Sequence, residues 1–132
     1  MLVVICGMVG SGKSTFAKEN FKHVLDFDRI KSKDKQIQKA KDLLSEGKVT
    51  AYITCYPTVQ ESIFFESVGD ISYIWINTTL DQCMTNVLAR GRKRDMEDLG
   101  QIREKNKGLQ SRLTVSSIPF EFIEVFETNE KW

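Results

Sequence analysis

The sequence predicts an α/β fold: one five-stranded parallel sheet with helices on both of its faces. Three observations carry that prediction. Strand-like and helix-like segments alternate from end to end, the pattern of a parallel sheet covered by its own crossovers. The stretch GMVGSGKS, Gly7 to Ser14, follows directly on the apolar run LVVIC, Leu2 to Cys6, so a buried strand runs into a glycine-rich turn. At 132 residues the chain reads as a single domain over 1–132, long enough for one core and too short for a separate substrate domain.

The elements follow in order. Leu2–Cys6 is the first strand, Ser14–Asn20 opens a helix, and HVLDF, His23 to Phe27, is the second strand. Ile30, Ile37, Ala40 and Leu44 recur at helical spacing between Arg29 and Gly47, which predicts one continuous helix closed by the glycine. On that reading Lys33, Lys35, Lys39 and Lys41 form a solvated outer face. VTAYITC, Val49 to Cys55, is the third strand. Pro57 and then Thr58–Glu61 mark a helix start with a capping box, leading into Ile63, Phe64 and Val68. ISYIWI, Ile71 to Ile76, is the fourth strand. Thr79–Gln82 has the form of a second capping box, and Leu80, Cys83, Met84, Val87 and Leu88 give the helix after it an apolar face ending near Arg90. Leu99, Ile102, Leu109 and Leu113 predict a last helix, weakened by Gly100 and Gly108. FEFIEVF, Phe120 to Phe126, preceded by Pro119, closes the sheet at its edge.

Nineteen basic against eighteen acidic residues argue against a protein that coats nucleic acid through bulk charge, while leaving room for a local basic patch. No stretch approaches the length of a membrane span, and the short apolar start runs straight into the glycine turn, unlike a signal peptide. A cytoplasmic protein with no membrane partner is therefore expected. Cys6, Cys55 and Cys83 are odd in number and set among apolar residues, which predicts reduced core thiols rather than disulfides or a zinc site. The single histidine, His23, has no second ligand at metal spacing and is given no role.

The glycine turn carries the chemistry. A loop that curls around phosphate oxygens needs glycines where a β-carbon would collide, and successive N–H groups then point inward as an anion nest. Gly7, Gly12, Lys13 and Ser14 stand at the fixed positions of G-x-x-x-x-G-K-S/T, the P-loop, with a strand before it and a helix after it. This makes the fold a P-loop NTPase fold and the ligand a nucleoside triphosphate. Gly7, Gly10, Ser11, Gly12, Lys13, Ser14 and Thr15 are the expected binding residues, with Lys13 on the β- and γ-phosphates and the Ser14 hydroxyl on Mg²⁺.

Ligands of open α/β sheets bind beyond the carboxyl ends of the strands, so residues just after each strand matter most. After the second strand, LDFDRIK places Asp28 and, three residues on, Lys31 beside the loop. Transfer to a hydroxyl needs a carboxylate to accept or orient its proton, and a cation helps position the acceptor; Asp28 is the candidate base, with helix capping as its alternative role. Later in the chain, LARGRKRDM crowds Arg90, Arg92, Lys93 and Arg94 around Gly91. Arg90 and Arg94, spaced R-x-x-x-R, point to one side if the segment is helical, as a lid closing over the transferring phosphate requires.

The start GMVGSGKSTFAKE, the D-x-x-K at Asp28 to Lys31 and the R-x-x-x-R at Arg90 to Arg94 together resemble the 5′-kinase domain of phage-type polynucleotide kinases and their small P-loop kinase relatives. The resemblance covers nearly the whole chain in order of elements. It implies an ATP- and Mg²⁺-dependent phosphotransferase with Asp28 as general base, Lys31 on the acceptor and Arg90 and Arg94 on the donor phosphates. Two departures stand out. Lys31 replaces the usual arginine and its two-pronged phosphate contact. The third strand ends ITCYPT, Ile53 to Thr58, where the family tends to place an acid followed by Thr and Asn, so a carboxylate is missing from that position. A polynucleotide 5′-hydroxyl is the acceptor the resemblance favours, ahead of a nucleoside, nucleotide or other small metabolite. From another class, a nucleotide-binding module that transfers nothing is the rival. A guanine-reading N-K-x-D is not found in the chain, which argues against a GTP switch.

Overall fold

The computed structural model describes residues 1–126. Its five strands are β1 (Leu2–Cys6), β2 (His23–Asp26), β3 (Thr50–Ile53), β4 (Ile71–Ile76) and β5 (Phe120–Ile123). They lie side by side in the order β2-β3-β1-β4-β5, and every neighbouring pair is parallel. The helices are α1 (Lys13–Asn20), α2 (Phe27–Ile30), α3 (Lys33–Ser45), α4 (Val59–Glu66), α5 (Leu80–Arg90), α6 (Lys93–Glu97) and α7 (Leu99–Val115).

Strand β1 is buried along its whole length because it is central and covered on both faces. Its alternate side chains belong to different cores. Leu2, Val4 and Cys6 pack with Ile37 of α3, Phe64 and Phe65 of α4, Cys83 of α5 and Leu109 of α7. Val3 and Ile5 pack on the other face with Ala17 and Phe16 of α1. The chain therefore leaves β1 toward one face and leaves β3 and β4 toward the other. That divergence opens a crevice at the carboxyl end of β1, the place where doubly wound sheets bind ligands.

Several expected elements hold with shifted ends. The Thr58–Glu61 capping box forms with both of its bonds. Gly47 closes α3 with φ +74°. Helix α7 forms through Gly100 and Gly108, neither of which has a neighbour that a β-carbon would touch. At Thr79 only half of the expected box is made: the hydroxyl accepts from Gln82 N–H, while the Gln82 amide donates to Asn86 instead. Strands β2, β3 and β5 end earlier than the apolar runs that announce them. Cys6 and Cys83 are buried and Cys55 half-buried, all as free thiols; burial pushes Cys83 up to about 11 against the opposing pull of Lys13, and Cys6 further in the same direction.

The expectation of one helix from Arg29 to Gly47 is corrected. The chain makes α2, turns through Lys31 at φ +61°, and begins again as α3. Two caps cause the restart. The Asp26 carboxylate accepts the Asp28 N–H at 3.1 Å and starts α2, and the Ser32 hydroxyl accepts the Lys35 N–H at 3.3 Å and starts α3. The capping role weighed for Asp28 thus belongs to Asp26. Arg90 and Arg94 likewise do not share a helix: Gly91, at φ +60°, ends α5, and Arg94 lies on α6.

Candidate active site

The loop from Gly7 to Gly12 fills the crevice beyond β1, and its path demands glycine at Gly10. That residue has φ +86°, and a β-carbon there would come within 2.4 Å of the Cys83 carbonyl oxygen on α5. Side chains from distant elements then fix the loop. Thr78 donates to the Ser11 carbonyl at 2.7 Å and Asn86 of α5 to the Gly10 carbonyl at 2.8 Å. Asn106 of α7, fully buried, accepts the Val9 N–H at 2.8 Å and donates to the Val9 carbonyl at 3.0 Å. Lys13 folds back to donate to the carbonyls of Gly7 and Met8 at 3.0 and 2.7 Å. Gly12 precedes α1 with no side-chain cap, so the first amides of that helix remain available to an anion.

Residues Gly10, Ser11, Gly12, Lys13, Ser14 and Thr15 all line one cleft of about 1230 Å³, while Gly7 sits at its foot, its N–H bonded to the Cys55 carbonyl. Nine lysines and arginines line this cleft against four aspartates, in a chain whose formal net charge is only +1. Positive charge is thus concentrated where the loop amides point, which suits a polyanionic ligand.

Two carboxylates follow β2. Asp26, almost buried, accepts the Ser14 hydroxyl at 2.7 Å. Asp28 is half-exposed and faces Arg92 at 3.4 Å. One acid is tied into the loop, and the other lines the cleft paired with Arg92. The Ser14 and Asp26 oxygens are hard donors of the kind Mg²⁺ prefers, and a magnesium site supplied with phosphate oxygens needs no more than one or two protein ligands. The pair therefore fits the ion that the loop motif implies.

A buried acid from α4 stands beside the end of the third strand. Glu61 of α4, with no exposed surface, accepts from the Thr54 hydroxyl at 3.0 Å, from the Thr58 N–H at 3.0 Å and from Lys33 Nζ at 3.0 Å. The expectation of a solvated Lys33 is corrected: its ammonium reaches a carboxylate 28 positions along the chain, also touches the Thr54 hydroxyl at 3.2 Å, and lines the cleft. An unpaired buried carboxylate is costly, and that cost holds the lysine in place. Burial and the nearby Glu61 push the Tyr52 phenol up, so it stays neutral beneath the site. Lys31, the expected acceptor contact, is exposed and outside the cleft lining; its left-handed turn carries it away, and Lys33 occupies the cleft instead.

The basic segment around Gly91 does form one cluster, through a residue the motif overlooked. Asp95 of α6, only 6% exposed, has Arg90 at 3.5 Å and Arg94 at 3.8 Å. Arg92 meets Asp28 across the cleft. Three arginines are parked on two acids at the mouth of the phosphate loop.

Asp26 was visible in the sequence, alternating with Asp28 in LDFDRIK, and its place at the end of a strand beside the loop was the clue. Glu61 was legible only as half of a capping box. Nothing local marks Asn106, which lies 97 residues from its partner.

No protein-family model matches the chain, and no curated protein matches it in sequence. Solved structures do. Deoxyadenosine kinase from M. mycoides with bound dATP is 13% identical, aligned over 99% of this chain and 94% of that one with a TM-score of 0.64. The same enzyme with products dCMP and a flexible dCDP bound is 16% identical over 93% and 90%, with a TM-score of 0.60. With bound dCTP the values are 15%, 99% and 94%, and 0.56. The chain shares the fold of this kinase: a five-stranded parallel sheet with helices on both faces.

Proposed function

We propose that this protein is an ATP- and Mg²⁺-dependent phosphotransferase that passes the γ-phosphoryl group to a hydroxyl of a nucleoside or nucleotide. The observation that carries the reading is the cluster of Lys13, Ser14 and Asp26 at the foot of a strongly basic cleft, with a second acid, Asp28, left facing that cleft. The loop amides and Lys13 cradle the β- and γ-phosphates. Ser14, oriented by Asp26, would hold Mg²⁺, which would supply charge neutralisation at the phosphates. Asp28 accepts the proton of the attacking hydroxyl as its oxygen bonds to the γ-phosphorus, and the bond to the β-phosphate oxygen breaks to leave ADP. Arg90 and Arg94, released from Asp95, stabilise the charge spread over the transferring group. Likeness to a deoxyadenosine kinase supports a small nucleoside-type acceptor over the polynucleotide 5′ end that the motif resemblance put first.

The test is transfer from labelled ATP to nucleosides, nucleoside monophosphates and 5′-hydroxyl oligonucleotides, repeated with Asp28→Asn. Transfer is expected to the small acceptors. The Asn variant should lose roughly two to four orders of magnitude in turnover while binding ATP normally. ATP binding with no transfer to any acceptor would instead identify a nucleotide-binding module.

A further inference from the structure

Two ammonium groups reach the carboxyl ends of β1 and β3 from opposite faces of the sheet. Lys13, at the start of α1, donates to the Gly7 carbonyl at 3.0 Å, and the Gly7 N–H donates in turn to the Cys55 carbonyl at 3.1 Å. One residue earlier, the Thr54 hydroxyl accepts from Lys33 Nζ at 3.2 Å. Helix α1 packs through Ala17 on the face that carries Val3 and Ile5, whereas α3, which begins at Lys33, packs through Ile37 on the face of Leu2 and Val4. Both ammoniums also act on the Cys6 thiol at the end of β1: burial raises it most, and Lys13 and then Lys33 pull it back.

Lys13 serves the donor phosphates; what Lys33 does follows from how it is held. Its Nζ donates to Glu61 Oε2 at 3.0 Å and to the Thr54 hydroxyl, with the centre of the Phe27 ring 5.2 Å away. An ammonium carries three N–H donors, so two are committed and the third is left for the cleft that Lys33 lines. Glu61 itself reaches no ligand. It has no exposed surface, and its two oxygens accept from the Thr54 hydroxyl, the Thr58 N–H and Lys33. The lid arginines meet their acids only at 3.4 to 3.8 Å and are more exposed than Lys33, whose side chain is 27% exposed. A cation fixed in this way needs no reorganisation when negative charge develops beside it.

We propose that Lys33 is a second fixed cation of the transfer site: its third N–H meets an oxygen of the transferring γ-phosphoryl group from the side of β2 and β3, opposite Lys13, and Glu61 is the positioning residue that aims it. This rests on the kinase reading above and deepens it. Asp28 follows β2, so the base and the acceptor hydroxyl lie on Lys33's side of the γ-phosphorus and the donor diphosphate on that of Lys13. The phosphoryl oxygens are then met by positive charge from both sides as the bond to the acceptor oxygen forms and the bond to the β-phosphate oxygen breaks. Lys33 keeps its proton throughout, and the hydroxyl proton passes to Asp28.

Binding tests this without relying on turnover. Calorimetry on the full chain with Mg²⁺ compares ADP with a non-hydrolysable ATP analogue, which adds the γ-phosphoryl group. Lys33→Met alone would strand the buried Glu61 carboxylate, so the charges are removed as a pair, Lys33→Met with Glu61→Gln, and a thermal melt checks folding. The paired variant should bind ADP as the unaltered protein does, while its preference for the ATP analogue over ADP falls by about tenfold or more, the worth of a charge-assisted hydrogen bond. Glu61→Gln alone keeps the ammonium but loosens its mount and should give a smaller fall in the same direction; Lys33→Arg should keep most of the preference. A Glu61 that only supports the fold would shift the melt and leave the preference where it was. In transfer from ATP to a deoxynucleoside, the paired variant should lose about ten- to hundredfold in kcat with the acceptor KM unchanged. An unchanged preference in whichever of the two Glu61→Gln variants folds, or a raised acceptor KM with kcat intact, overturns the inference. A reduced preference in a protein that transfers to no acceptor would uphold Lys33 as a γ-phosphate cation and reject the kinase reading; transfer by the unaltered protein with a preference that neither variant moves would do the reverse.

Discussion

In the phosphate loop, side chains from three distant positions hold three consecutive carbonyls: Asn106 on Val9, Asn86 on Gly10 and Thr78 on Ser11, all at 2.7 to 3.0 Å. In the lid, the contacts are ion pairs at 3.4 to 3.8 Å, made by Arg90, Arg92 and Arg94 with side chains 34%, 45% and 74% exposed. Neutral, aligned hydrogen bonds fix geometry, whereas half-exposed ion pairs are weak and exchange partners when a better anion arrives. A rigid cradle and a clamp that can be recruited are what phosphoryl transfer asks of the two regions: the first must hold the donor before reaction, the second must close on charge that redistributes during it.

Removing the cradle's charge should have the larger effect. Lys13→Ala is expected to lower transfer by about three orders of magnitude and to weaken ATP binding as well, since the same ammonium meets the β- and γ-phosphates before and during reaction. Isothermal titration and initial rates on the same preparation read both. Unchanged affinity together with unchanged turnover would mean that the loop holds no triphosphate.

Removing the clamp should separate the two readouts. Arg90→Ala with Arg94→Ala should lower turnover by about ten- to hundredfold and alter ATP affinity little, because the lost contacts form chiefly in the transition state. Stability should fall, because Asp95 is left buried without its partners, so turnover is compared at a temperature where the variant's melt shows it folded. Turnover that survives the double substitution would make the lid an ordinary solvated turn.

The same contrast explains what the sequence made legible. The cradle is one contiguous stretch, so motif spacing alone singled out Gly10 through Thr15, which line one cleft. The parallel sheet and its two-faced cover followed from alternating segments, because each apolar run answers to a local period, whereas the order of the strands in the sheet did not. The residues that hold these parts are long-range. Ser14 meets Asp26 across 12 positions, Lys33 meets Glu61 across 28, and Arg92 meets Asp28 across 64. A lysine that serves a buried acid looks the same in sequence as one that faces water, and only the fold tells Lys33 from Lys35. Lys31 stands outside the cleft lining for a local reason: the helical period runs through it, yet the caps at Asp26 and Ser32 divide the helix there.

The smallest expected effect tests whether the cradle's rigidity comes from its anchors. Asn106 satisfies both backbone groups of Val9 and has no exposed surface, whereas Asn86 is half-buried and bonds only the Gly10 carbonyl to the loop. Truncating Asn106 to alanine strands a donor and an acceptor where water has poor access, at a cost of about 2 kcal/mol; truncating Asn86 removes one partly solvated bond, at about 1 kcal/mol. Urea denaturation without nucleotide should therefore rank Asn106→Ala below Asn86→Ala, and both below the unaltered protein. A saturating triphosphate stabilises the folded chain in proportion to the logarithm of its affinity, so a loop loosened by Asn106→Ala should also gain less from added ATP. Equal stability of the two variants would mean that the loop keeps its shape without α7. A stability loss with an undiminished ATP-induced gain would mean that Asn106 supports the fold alone and not the cradle.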